Sequence, residues 1–173
     1  ALMHDTGYIQ SVDDVTGTGA KYTMTHISRG IYFVKNYFAG NEYFASDMKN
    51  FHDILSCTGA QTMVADLEFE DDHIAVLGKM LGTADLLGQM ADRLYLEKLI
   101  ILYNEFDEGG VPGFDSEVDL LRKTVSFYNR TRERFRRDFG SVNRYMVSHF
   151  KSLWNIDPYS KSNPSSQSFA LAQ

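Results

Sequence analysis

The residues best suited to chemistry are an adjacent histidine and aspartate near the start of the chain, His4 and Asp5, with Gly7 close behind. Adjacent side chains on a helix point about 100° apart, so the pair can share one ion only at a helix end, where Gly7 can adopt the left-handed conformation. Imidazole nitrogen and carboxylate oxygen suit Mn, Fe, Co, Ni or Zn better than calcium. The alternative is a helix end with a buried, hydrogen-bonded histidine and a capping aspartate.

A second candidate metal ligand, Asp85, lies in a strongly apolar segment whose periodicity predicts a helix over residues 72–91. Small and polar residues recur there at steps of three and four: Gly78, Gly82, Asp85, Gln89 and Asp92. Glycine in a helix interior costs about 1 kcal/mol relative to alanine, so the two glycines indicate a close approach by another group. An ionised Asp85 needs a partner, either a metal shared with His4 and Asp5 or an ordinary ion pair with an arginine.

The order apolar–apolar–His–Asp–x–Gly–Tyr in residues 2–8, followed by the distant Asp85, resembles the motif of the HD superfamily of metal-dependent phosphohydrolases. The similarity extends from Ala1 to about Phe106. In that family a first histidine precedes the His-Asp pair, so we expect the chain to be a fragment that lacks it. The resemblance implies that His4, Asp5 and Asp85 hold one divalent transition metal (Mn, Fe, Co, Ni or Zn), with Mg as a further option.

The same resemblance implies hydrolysis of a small phosphorylated substrate, a phosphomonoester or phosphodiester such as a nucleotide or cyclic nucleotide. The ion would lower the pKa of a bound water and polarise the phosphoryl oxygen. Lys21, in a Gly- and Thr-rich loop, and His26 and Arg29, in the next predicted helix, are the candidates to contact phosphate or assist proton transfer. For the loop, the alternative is a plain connection, and for His26 it is a solvated histidine.

The rival function is that of a non-catalytic sensor or scaffold that keeps the HD fold without its metal. Such a protein would bind a partner through an arginine-rich helix face: Arg130, Arg132, Arg134, Arg136 and Arg137. A charge run of this kind is otherwise a solvated face paired with acidic residues.

Composition restricts the class of protein. The 173 residues are 43% hydrophobic and 13% aromatic, enough for one domain with a proper core. The net charge of -6 argues against nucleic-acid binding. No uncharged apolar run is long enough to span a membrane, and the single Cys57 fits a reducing compartment. We therefore expect a cytoplasmic protein with no membrane partner, and leave a homo-oligomer open.

Hydrophobic periodicity predicts an all-α fold, a single globular HD-like bundle of about six or seven helices over residues 1–158 with a polar tail at 159–173. The predicted helices cover residues 26–38, 47–57, 72–91, 95–106 and 117–149, the last interrupted at Gly140. The glycine-rich segment 109–113 is either a lid or a connector.

Overall fold

The computed structural model describes residues 1–154. This part of the chain is entirely helical and contains no strand, so the predicted all-α class is confirmed. Its α-helices are α1 (His26–Tyr37), α2 (Phe51–Ser56), α3 (Asp72–Met90), α4 (Tyr95–Glu108), α5 (Glu117–Arg137) and α6 (Met146–Trp154). Short 3-10 helices occur at Thr6–Tyr8, Gly19–Tyr22, Val64–Asp66 and Val142–Tyr145. The predicted tail at 159–173 lies outside the described residues.

Two clusters of buried side chains form the core. The first joins α1, α2 and α3 through Ile31, Val34, Leu55 and Leu81. The second joins the end of α2 to the end of α5 and contains Cys57, Val64, Phe135 and Phe139. Residues of α3 contact both clusters and so connect the two parts of the core.

The two glycines of α3 allow this close packing. A Cβ on Gly78 would lie 2.7 Å from the Cys57 sulfur, and one on Gly82 would lie 2.6 Å from both the Cys57 carbonyl oxygen and Phe139. These positions therefore have no room for a larger side chain. The sequence-based prediction that something approaches the glycine stripe is confirmed, and the approaching groups are Cys57 and Phe139.

The packing of α3 also corrects one prediction. Its apolar positions were expected to be buried, but Leu77 and Met80 are 51% and 52% exposed. The buried residues are instead Gly78, Leu81, Gly82 and Thr83. Because small residues admit the closest neighbours, the glycine-bearing face of α3 packs inward together with Leu81, while Leu77 and Met80 point outward.

The helices α1 and α4 begin at His26 and Tyr95 as predicted, but one start and the capping differ from the sequence-based expectation, in which Thr23 or Thr25, Ser46 and Asp92 cap the three helices. The helix expected at residue 47 begins at Phe51, and the Ser46 hydroxyl bonds the Asp47 carboxylate instead of a backbone N–H. Thr25 stands at the N-cap of α1 but makes no capping hydrogen bond. Asp92 accepts a hydrogen bond from the backbone N–H of Leu94, so it caps the turn before α4 and not the helix itself.

The predicted interruption of the last long helix is confirmed. Ser116 caps α5 by accepting from the backbone N–H of Asp119 at 3.2 Å. The helix ends at Arg137, and Gly140 and Ser141 then adopt φ angles of 59° and 57°, in the left-handed region. The chain turns at these two residues, directly after the buried Phe139 and before α6 begins.

Candidate functional site

The opening segment is held against the first turn of α1. Gly7 is buried, and any Cβ added to it would collide with the backbone carbonyl of His26. Arg29 of α1 donates from Nε to the Gly7 carbonyl at 2.8 Å and from Nη2 to the Ile9 carbonyl at 2.9 Å. Gly7 does not have a positive φ, so the expected left-handed helix end is wrong. The glycine is needed because two backbone segments touch.

The structure brings the three predicted metal ligands together. His4 Nε2 lies 3.1 Å from Asp5 Oδ2 and 3.4 Å from Asp85 Oδ1. The His4 side chain is 25% exposed and that of Asp85 34% exposed, so solvent still reaches both. The adjacent His-Asp pair, which cannot converge in the middle of a helix, does so here because it lies in a turn beside α3.

The tautomer of His4 follows from its second contact. His4 Nδ1 lies 2.7 Å from the backbone carbonyl of Ala1, and a carbonyl only accepts, so Nδ1 carries the proton. In neutral His4 the lone pair is therefore on Nε2, which faces two carboxylate oxygens. A proton or a cation placed among these three acceptors would offset their mutual repulsion.

Burial shapes the electrostatics of Asp85. Desolvation raises the pKa of Asp85 above its usual value, the nearby Asp5 carboxylate raises it further, and His4 and His26 oppose the rise. The Asp85 carboxylate is therefore a group whose ionisation depends on a positive neighbour.

The donor atoms of His4, Asp5 and Asp85 suit a transition metal in type and in spacing, but the three side chains are not arranged as a complete metal site. Ligands about 2.1 Å from an ion lie about 3.0–3.4 Å from one another, the spacing that His4 makes with Asp5 and Asp85. Within residues 1–154, however, no three His, Cys, Asp or Glu side chains form a group that could hold an ion as they stand. A metal ion would bind the Nε2 lone pair of His4 in competition with a proton.

His26 lies beside this cluster. Its ring stacks on Tyr8 with 4.5 Å between ring centroids, and its Nδ1 lies 2.6 Å from the Thr23 carbonyl, to which it donates. Burial raises the pKa of Tyr8, and the charges of Asp5 and Asp85 add to the rise. Tyr8, the last residue of the His-Asp motif, is thus a neighbour of the site, although the sequence alone assigned it no role.

Lys21 and Arg29 are engaged in holding the loop between residues 10 and 22. Lys21 Nζ bonds the Asp14 carboxylate and the Thr16 carbonyl. The hydrogen bond from Lys21 lowers the pKa of Asp14 to about 2. The Arg29 guanidinium stacks 3.4 Å from the centre of the Tyr22 ring. Both cations therefore have structural partners, and their predicted contact with phosphate remains a prediction.

The Gly- and Thr-rich loop before α1 is tied to the end of α4. The backbone N–H of Thr18 donates to Glu108 Oε1 at 2.5 Å, and the Thr18 hydroxyl donates to Oε2 at 2.7 Å. These bonds lower the pKa of Glu108. The Thr18 N–H group is thus already satisfied by a carboxylate from its own chain.

A groove of about 600 Å³ opens beside the cluster, between Asp5 and α4. Its charged lining residues are Asp5, Asp92, Lys98 and Glu105. Lys98 is paired with Asp92, so the groove carries a net negative charge. An anionic substrate could occupy it only together with a cation.

The fold and the cluster define an all-helical protein with one histidine held between two carboxylates. Residues 2–139 match the Npun_R2479-like family, and the chain belongs to that family. No curated protein and no solved structure matches the chain. The resemblance to the HD superfamily therefore stays a prediction.

No helix among the described residues has both the length and the apolar character needed to cross a membrane.

Proposed function

We propose that this protein is a metal-dependent phosphohydrolase that acts on a small phosphomonoester or phosphodiester. The observation that carries the proposal is the convergence of His4 Nε2 on Asp5 and Asp85 at 3.1 and 3.4 Å. His4, Asp5 and Asp85 would hold the ion. When bound, it would supply Lewis acidity and a water of lowered pKa.

The chain's own residues supply the remaining requirements. The bond from His4 Nδ1 to the Ala1 carbonyl fixes the tautomer whose Nε2 lone pair is available, as is usual for metal-binding histidines. Burial keeps Asp85 in need of a positive partner. His26, which stacks on Tyr8 beside the cluster, is the candidate to move a proton or orient the phosphate. The groove next to Asp5 has the size of a small-molecule site.

The negative lining of that groove supports a metal requirement. Asp5, Asp92 and Glu105 would repel a phosphate in the apo protein, and the one lysine beside them is already paired. A divalent ion at His4 would offset this charge. We therefore expect inorganic phosphate to bind in the presence of a divalent metal and not in the presence of a chelator.

The test compares His4→Gln with His52→Gln. His52 also precedes an aspartate, and its Nδ1 lies 2.8 Å from Asp53 Oδ1, so the control removes a similar pair from an exposed site. Each protein is loaded with Mn²⁺, Co²⁺ or Zn²⁺, analysed for bound metal, and assayed with p-nitrophenyl phosphate and bis-p-nitrophenyl phosphate. We expect His4→Gln to lose metal and turnover while keeping its helical circular dichroism, and His52→Gln to keep both.

A His4→Gln protein that stays folded, retains stoichiometric metal and hydrolyses either ester at the wild-type rate would refute the proposal. A wild-type protein that binds no metal would refute it equally.

The second candidate is a non-catalytic protein that binds a partner, and a specific observation favours it. Large apolar side chains on three neighbouring helices are about half exposed or more, among them Leu77, Met80, Ile100, Ile101 and Val125. The arginine run supports it less, because Arg136 pairs with Glu133 and Arg137 with Asp138. A metal-free, inactive wild type with a stable oligomeric state would favour this candidate.

A further inference from the structure

A second cavity, with a volume of about 370 Å³, lies between α3, α4 and α5. Its walls are mostly apolar, with Leu99, Leu102 and Phe106 from α4 and Leu120 and Phe127 from α5. The volume falls in the range of small-molecule sites.

The glycine-rich segment between α4 and α5 forms one wall of this cavity. Val111, Pro112 and Phe114 line it, and the Phe114 ring lies 5.3 Å from that of Phe106. Gly113 has a φ of 99°, and Lys123 Nζ donates to its carbonyl at 2.8 Å, which ties the segment to α5. The segment predicted as a lid or a connector is therefore an ordered wall.

The charged residues of the lining are all cations: Lys123, Arg130 and Arg134. Two of them have partners within the chain. Lys123 Nζ lies 2.6 Å from Asp119 Oδ2, and Arg134 Nη2 donates to the Gly59 carbonyl at 2.6 Å. No Asp or Glu of the described chain lines this cavity.

Arg130 differs from the other two. It is exposed at the edge of the cavity, and residues 1–154 offer it no hydrogen bond or ion pair. A guanidinium has five N–H donors in a planar fork that matches two oxygens of a carboxylate or phosphate. The unpaired Arg130 guanidinium therefore lies at the edge of a cavity with mostly apolar walls.

We infer that this cavity binds a small amphipathic anion, with its apolar body among Leu99, Leu102 and Phe127 and its carboxylate or phosphate head on Arg130. The apolar body gains by leaving water, and the head satisfies the guanidinium. The site is distinct from the His4 cluster. The two openings share Gln89, Tyr95, Leu99 and Leu102, but Asp5 lines only the groove described earlier.

The test uses isothermal titration calorimetry with three eight-carbon probes, octanoate, octyl phosphate and octanol, which differ in the head group alone. We expect saturable binding of at least one anion, and the tighter anion identifies the preferred head. Octanol should bind about tenfold more weakly, because it lacks the charge that Arg130 recognises.

Two matched variants locate the site. Arg130→Gln should weaken the preferred anion about tenfold and leave octanol unchanged. Arg122→Gln removes the same charge from the same helix outside the lining, and should change neither. Leu102→Trp fills the chamber and should abolish binding of all three probes while circular dichroism confirms the fold.

The inference is overturned if neither anion saturates, if Arg130→Gln and Arg122→Gln bind alike, or if folded Leu102→Trp binds like wild type. Binding that persists in His4→Gln supports it as a property independent of the proposed hydrolase activity.

Discussion

His4 Nε2 lies 3.4 Å from Asp85 Oδ1, although 81 positions separate the two residues in the sequence (85 − 4 = 81). The contact joins the opening turn to the middle of α3. Its position is fixed on one side by the packing of Gly7 against α1 and on the other by the packing of Gly82 against Cys57 and Phe139. The candidate site thus depends on two glycine contacts that lie outside it.

Asp85→Asn should reduce metal binding, whereas Asp92→Asn should not. Asp85 contacts His4, while Asp92 is occupied by Lys98 and by the backbone N–H of Leu94. The asparagine side chain keeps the size of the aspartate but is a poorer ligand for a transition metal. The measurement is metal content by elemental analysis after dialysis of both folded proteins. Equal metal content in Asp85→Asn and wild type would show that Asp85 is only an ion-pair partner.

Gly82→Ala and Gly88→Ala should change stability in opposite directions. A Cβ on Gly82 would lie 2.6 Å from the Cys57 carbonyl and from Phe139, so alanine overpacks the core and should cost about 1–3 kcal/mol. Gly88 lies on the same helix and has nothing within 4 Å of its added Cβ, so alanine should stabilise by about 0.5–1 kcal/mol.

Urea unfolding of the two variants and wild type measures both effects. A neutral Gly82→Ala would mean that α3 can move away from Cys57 without loss of packing. In that case the arrangement of Asp85 would also be less firmly fixed than the contacts indicate.

The sequence suggested His4, Asp5 and Asp85 as one group through the resemblance to the HD motif, and the structure brings their side chains together. A carboxylate within an apolar helix needs a partner, but residue type alone left both a metal and an arginine open for Asp85, and the role of the three residues as metal ligands stays a prediction. The all-α class and the break at Gly140 were predictable, since periodicity and glycine act locally.

Other features depend on which elements meet, and local sequence does not encode that directly. Periodicity placed Leu77 and Met80 on one face of α3 but could not show that the opposite, glycine-bearing face packs inward. The sequence could not show that Lys21, a candidate phosphate contact, bonds Asp14 and Thr16. The cavity between α3, α4 and α5 depends on the distance between α4 and α5, which no sequence motif indicates.

Arg134→Met should destabilise the protein more than Arg136→Met. Arg134 Nη2 donates to the carbonyls of Gly59 at 2.6 Å and Cys57 at 3.3 Å, and methionine would leave these acceptors without that donor. The expected loss is about 1–3 kcal/mol. Arg136 is exposed, and its partner among the described residues is Glu133, so its replacement should cost less than that of Arg134.

Thermal and urea unfolding compare these two variants, which remove the same charge from the same helix. Equal losses would indicate that the end of α5 is held by the apolar contacts that Phe135 and Phe139 make with Cys57 and Val64, and not by the hydrogen bonds of Arg134.

The buried thiol of Cys57 should give the protein an alkaline stability limit that Cys57→Ala lacks. The side chain is 0% exposed, and burial raises the pKa of Cys57 from 9.0 to about 11. Between these values the folded state keeps its proton while the unfolded state releases it, so the stabilising contribution is complete below pH 9 and is lost as the pH rises toward 11. The stability of wild type relative to Cys57→Ala should therefore fall by up to about 1.4 kcal/mol for each pH unit in this window.

The measurement is urea unfolding of both proteins at several pH values. Because the two proteins share their lysines and tyrosines, the titration of these residues drops out of the difference between the two unfolding free energies. The cavity left by alanine costs the same free energy at every pH, so it does not affect how the stability difference changes with pH. A stability difference that stays flat from pH 8 to pH 11 would show that the thiol ionises freely, and that the contact between α2 and the Gly78–Gly82 face of α3 opens to water.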